Sequence, residues 1–60
     1  MININGAIVT KTERGVFVAM IEGSWFEAAK LAEKINKVVK NRTTVKIYEL
    51  MPGWMSVEIS

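Results

Sequence analysis

The rhythm of apolar positions along the chain runs from strand-like to helix-like and back, and each change marks an element. Residues 2–11 read as one strand, Ile-Asn-Ile-Asn-Gly-Ala-Ile-Val-Thr-Lys, closed by the polar break Thr12-Glu13-Arg14-Gly15. A type I turn with Gly15 in the left-handed conformation would join this strand to the next in an antiparallel hairpin. That geometry sets Thr12 opposite Val16, Thr10 opposite Val18 and Ile8 opposite Met20, with Val9 and Ala7 beside Ala19 and Ile21. The second strand, 16–22, contains Val16-Phe17-Val18-Ala19-Met20-Ile21 and shows no alternation at all. Apolar on both faces, it predicts a central strand covered on two sides.

At Gly23-Ser24-Trp25-Phe26-Glu27 the period lengthens. Ser24 with Glu27 three residues later is a capping box, in which each side chain satisfies a free backbone N–H, so a helix is predicted from Ser24. At about 100° per residue, Trp25, Ala28, Ala29, Leu31, Ala32, Ile35, Val38 and Val39 share one half of the cylinder. Lys30, Glu33, Lys34, Lys37, Lys40 and Asn41 share the other, and the pattern extends over 24–41. Alanines at 28, 29 and 32 would let the helix lie close to a sheet, and bulkier residues there would overpack it.

Period two returns in Thr43 to Leu50 and again in Trp54 to Ile59, separated by Met51-Pro52-Gly53, a sequence suited to a type II turn. These are the third and fourth expected strands, 43–50 and 54–59. Met55, Val57 and Ile59 with Val45 and Ile47 would face the helix, leaving Lys46, Tyr48, Leu50 and Trp54 on the far side, with a break in alternation near Glu49 and Leu50. The expected fold is α+β, β-β-α-β-β: one amphipathic helix on a mainly antiparallel four-stranded sheet, a single domain over residues 1–60.

Length sharpens the picture. A chain of 60 residues buries only about 60% of the surface its unfolded form exposes. Small domains usually add disulfides, a metal or a partner subunit, and this sequence has no Cys and no His. Self-association, as a homodimer, is the remaining route. No apolar run approaches the roughly 18 residues of a membrane helix, and Met1 is followed by Ile-Asn-Ile-Asn rather than by the basic and apolar regions of a signal peptide. The expected location is the cytoplasm, away from membranes.

Composition also narrows the chemistry. With no His, Cys or Asp, the chain lacks the usual general base, the thiolate nucleophile and most metal ligands. Glu13, Glu22, Glu27, Glu33, Glu49 and Glu58 each read as turn, cap, helix surface or strand surface. The residue after Met1 is not proline, so an N-terminal proline base is excluded, and the four glycines are too scattered to cradle a phosphate. No catalytic residue, cofactor or metal is expected.

The charge, by contrast, is concentrated. Lys30, Lys34, Lys37, Lys40 and Arg42 stand against Glu27 and Glu33, a local net charge of +3 that leaves −1 for the rest of a chain whose total is +2. Such a face is ordinarily a solvated surface, and otherwise contacts phosphates or an acidic protein. Phe26 falls among these lysines, either as a contact residue or packed locally against the first hairpin. On the sheet, Phe17, Lys46, Tyr48, Leu50 and Trp54 form a second candidate surface, read as a dimer interface ahead of a platform for stacking bases. The reading that accounts for most of the sequence is a small non-enzymatic protein acting by protein–protein contact on a larger partner, of the inhibitor or modulator kind that phages and mobile elements encode. The alternative is a nucleic-acid-binding domain using the basic helix face.

Overall fold

The structure, a computed structural model, describes residues 2–40 and 44–60. Strands β1 (Ile2–Ile4), β2 (Ala7–Lys11) and β3 (Phe17–Glu22) precede helix α1 (Trp25–Val38), and β4 (Val45–Met51) and β5 (Trp54–Ile59) follow it. They form one antiparallel sheet in the order β1-β2-β3-β5-β4, with α1 on one face. The class is the expected α+β, but the sheet has five strands and not four.

The fifth strand comes from residues 2–11, which are two strands joined at Asn5-Gly6. Asn5 and Gly6 both take positive φ, 53° and 84°, the two-residue turn whose twist matches that of the flanking strands. The Gly6 N–H donates to Asn3 Oδ1 at 3.0 Å, and Ile4 pairs with Ala7 directly across the turn. The next hairpin has the expected geometry. Gly15 has φ 84°, its N–H donates to the Thr12 carbonyl at 2.9 Å, and the Thr12 N–H donates to the Val16 carbonyl at 2.8 Å. Val9 then pairs with Ala19 and Thr10 with Val18.

β3 is the middle strand, with β2 on one side and β5 on the other. The helix lies chiefly over β5, beside it, and covers only one face of the sheet. The expectation that both faces of β3 are covered is therefore not met within one chain: Ala19 is buried, whereas Met20 is 59% exposed. β5 is the better protected strand, because β3 and β4 flank it and the helix lies on it. Met55, Val57 and Ile59 are buried there.

Ser24 caps α1 as predicted. The Glu27 carboxylate accepts from the Ser24 backbone N–H at 2.9 Å and from the Ser24 hydroxyl, within a complete capping box. The helix ends earlier than expected. Val39 is the C-cap, its N–H still donating to the Ile35 carbonyl at 2.9 Å, and Lys40 turns to φ 65°. A left-handed residue stops a helix by turning the chain off its axis. Asn41, the expected last helical residue, lies outside the described residues, as do Arg42 and Thr43.

The buried stripe is narrower than half a cylinder. Ala28, Leu31, Ala32 and Ile35 are buried and Val39 is half-buried, while Trp25, Ala29 and Val38 are exposed. Trp25 is the first helical residue, and helical side chains lean toward the N-terminus, so it projects past the sheet instead of over it. Val38 lies at the other end of the helix, about 70° off the centre of the stripe at 100° per residue, and is 52% exposed.

The core comprises Ala7, Val9, Ala19, Ala28, Leu31, Ala32, Ile35, Met55, Val57 and Ile59. Four of these ten are alanine, so it is thin. Ile4, Phe17, Ile21, Val39 and Ile47 pack at its margin.

Candidate binding surfaces

Two surfaces remain open, and they differ in chemistry. The first is the outward face of α1. The buried residues centre between Ala28 and Ile35, and half a turn away, at about 100° per residue, stand Phe26, Lys30, Glu33 and Lys37. Phe26 is 66% exposed, the highest value among the large apolar side chains. The Lys30 ammonium sits 4.7 Å from the centre of its ring, within cation–π range. One turn on, Lys37 Nζ lies 3.8 Å from Glu33 Oε1. Lys30, Glu33, Lys34 and Lys37 line a shallow hollow of about 240 Å³, and Lys30 and Lys34 line a second of similar size toward Asn5 and Ile21.

Of the basic residues expected on this face, Lys30, Lys34 and Lys37 are therefore together along the helix, Lys40 marks its left-handed end, and Arg42 lies outside the described residues. Trp25 adjoins Phe26 and is 57% exposed. Sequence reasoning placed it in the core; its position as the first helical residue was the available signal. Glu27, also on this side, has its carboxyl held below the ordinary glutamate range. The hydroxyl of Ser24 contributes most, followed by the Ser24 and Glu27 backbone N–H groups, and the Lys30 charge acts in the same direction.

The second surface is the uncovered face of the sheet. Cross-strand pairing arranges it in rows. Across the middle run Asn3, Ile8, Met20, Ser56 and Tyr48, because Asn3 pairs with Ile8, Met20 with Ser56, and Ser56 with Tyr48. Val9 pairing with Ala19 in the adjoining row places Ile8 opposite Met20. Below lie Thr10, Val18, Glu58 and Lys46, and above, Glu22 pairs with Trp54. Leu50 sits in the register shift between Glu49 and Met51, where the break in alternation was expected. Ile8, Met20, Tyr48, Leu50 and Trp54 are all exposed on this face, whereas Ser56 among them is only 2% exposed.

Lys46, Tyr48, Leu50 and Trp54 thus share one face. Phe17 does not: it pairs with Ile59 and packs at the margin of the core on the helix side, with Lys11 Nζ 5.7 Å from its ring. Ile8 and Met20, absent from the sequence-derived surface, are at its centre, and the hairpin register already placed them opposite each other.

The Tyr48 hydroxyl donates to Glu58 Oε2 at 2.6 Å. Glu58 also lines an open depression of about 490 Å³ with Thr12, Glu13, Arg14, Val16 and Val18, where the hairpin rises beside the sheet face. One of its carboxylate oxygens is thereby engaged with a phenol. Among the described residues no three metal-ligating side chains converge, and no helix is long and apolar enough to cross a membrane. Comparison with family models, with curated proteins and with solved structures finds no match to this chain.

Proposed function

We propose that this protein is a non-enzymatic binding module that acts in the cytoplasm by docking the outward face of α1 onto a larger protein. The observation that carries the proposal is Phe26, exposed on the outward face of the helix with the Lys30 ammonium over its ring and Glu33 and Lys37 further along the same face. An exposed aromatic costs solubility and adds nothing to this core. At an interface, an aromatic flanked by cations is the kind of residue that carries a large share of the binding energy. The lysines along the same face suit a partner with an apolar recess at one end of an acidic strip, and they would speed its encounter.

The wider role, an inhibitor or modulator such as phages or mobile elements encode, is suggested by the small size of the chain and a sequence without His, Cys or Asp. Nucleic-acid binding is the second reading, favoured by the row Lys30, Lys34 and Lys37, which lies along one line of the helix as phosphates lie along a strand.

The test is capture from a lysate of the cells that make the protein, with and without nuclease, using the natural chain and Phe26→Ala. A defined protein retained after nuclease and lost, by about 10-fold or more in affinity, with Phe26→Ala is the expected result. Material that disappears with nuclease and survives Phe26→Ala would replace this reading with the nucleic-acid one.

A further inference from the structure

We infer that the open sheet face is the contact between two copies of this chain, packed sheet against sheet with their helices on the outside. Met20 and Ser56 are direct cross-strand partners; the first is 59% exposed and the second 2% exposed. A long flexible side chain therefore stands beside a small residue that its own neighbours already cover, with Tyr48 on its far side.

A two-fold axis parallel to the strands and midway between β3 and β5 would lay Met20 of each copy over Ser56 of the other. The same rotation would bring Ile8 over Tyr48. The middle row is thus complementary to itself, which an isologous interface requires. Methionine is well suited to the position, because its three rotatable bonds let it adapt to the surface it meets.

Charge separates this arrangement from the alternatives. On the open face Arg14 and Lys46 stand against Glu13 and Glu58, with Glu22 at the rim, so the face is within one charge of neutral and two copies do not repel. The strongly basic surface is on the other side of the molecule. Sheet-to-sheet packing holds the two helices about 30 Å apart, from layer spacings of about 10 Å. That is nearly four Debye lengths of about 8 Å at physiological salt.

The competing dimer would pair the free edges of β4. Since α1 lies over β5, one strand from that edge, edge pairing would bring the two lysine rows within about 15 Å of each other. With that axis four of the five strands overlap, about 4.8 Å apart and about 20 Å long, which buries about 770 Å² over a pair and falls below the roughly 1,000 Å² of a stable specific interface. A reversible, concentration-dependent dimer follows, and it would present the Phe26 surface twice, on opposite sides.

The experiment uses the free protein, so its outcome is independent of whether the helix face binds anything. Light scattering and sedimentation equilibrium over about 1 µM to 1 mM should show the mass rise from 6.7 kDa to twice that value. Met20→Asp should remain folded by circular dichroism and weaken association by about 10-fold or more. Ile8→Glu serves as the second variant should Met20→Asp fail to fold. Because the chain has no cysteine, Glu33→Cys gives a single spin-label site on the outward helix face. Sheet-to-sheet packing places the two labels about 40 Å apart or more, and edge pairing about 20 Å. A monomer at every concentration, a dimer indifferent to the folded face variant, or the short label distance would each overturn the inference.

Discussion

Ser24 and Glu27 show how much a pair of side chains can determine. The carboxylate of Glu27 takes up the otherwise unpaired N–H of Ser24 and its hydroxyl, and this lowers the carboxyl's tendency to protonate. In the unfolded chain those donors disperse and the ordinary value of about 4.3 returns. The folded state thus holds the lower value, so the contribution is fully present above the unfolded value and is lost as pH falls through the folded one. Glu27→Gln keeps an acceptor at the same place and removes its titration. The urea midpoint of the natural protein should fall more steeply between about pH 5 and pH 3, the range in which carboxylates titrate, than that of Glu27→Gln. Equal slopes would refute a role for this cap in acid stability. The cap was legible in sequence because it depends on two residues at fixed spacing and on nothing distant.

At the scale of elements, the parts that sequence reveals are those whose cause is local. The Thr12 to Gly15 loop, the start of α1, the strand Trp54–Ile59 and the break near Leu50 all follow from neighbouring residues. The Asn5-Gly6 turn is equally local, but Ile2, Ile4, Ile8 and Thr10 keep a period-two rhythm straight through it. Periodicity reports facing, and a tight turn between short strands can leave the alternation intact. What sequence could not supply was the width of the surface beneath the helix: Ala28 and Ala29 both fall within the apolar half of the helical wheel, one near its centre and one at its edge, yet one is buried and the other exposed. Ala28→Leu should therefore cost about 1–3 kcal/mol by overpacking, and Ala29→Leu should stay within about 0.5 kcal/mol. Chemical denaturation of the two variants checks this, and equal penalties would mean that the helix is rotated from the position described.

Across the whole molecule, one layer of helix serves one side of a five-stranded sheet, and the two exposed surfaces divide the chain's chemistry between them. The basic face was readable because helical charge spacing survives folding unchanged. The apolar face was readable only in part, since Ile8 and Met20 join Tyr48 and Trp54 through the placement of β5 between β3 and β4, a long-range choice that no local pattern encodes. Phe17 was drawn to the wrong side for the same reason: a strand apolar on both faces gives no internal sign of which face the helix will take.

That placement of β5 also bears on how the protein comes into being. β5 is the last of the six elements in sequence, yet it is the strand under the helix and the bridge between β3 and β4. Until it emerges from the ribosome, at about 5–20 residues per second, the apolar undersides of β3 and α1 lack the strand that contributes Met55, Val57 and Ile59 to the core, and the nascent chain must carry much of that surface bare. A chain truncated after Met51 should accordingly melt without a cooperative transition in calorimetry. A sharp transition in that fragment would mean that the first hairpins and helix form a folding unit by themselves. The interval before β5 arrives is the period in which this protein is most exposed to chaperones, proteases and its own neighbours on the same message.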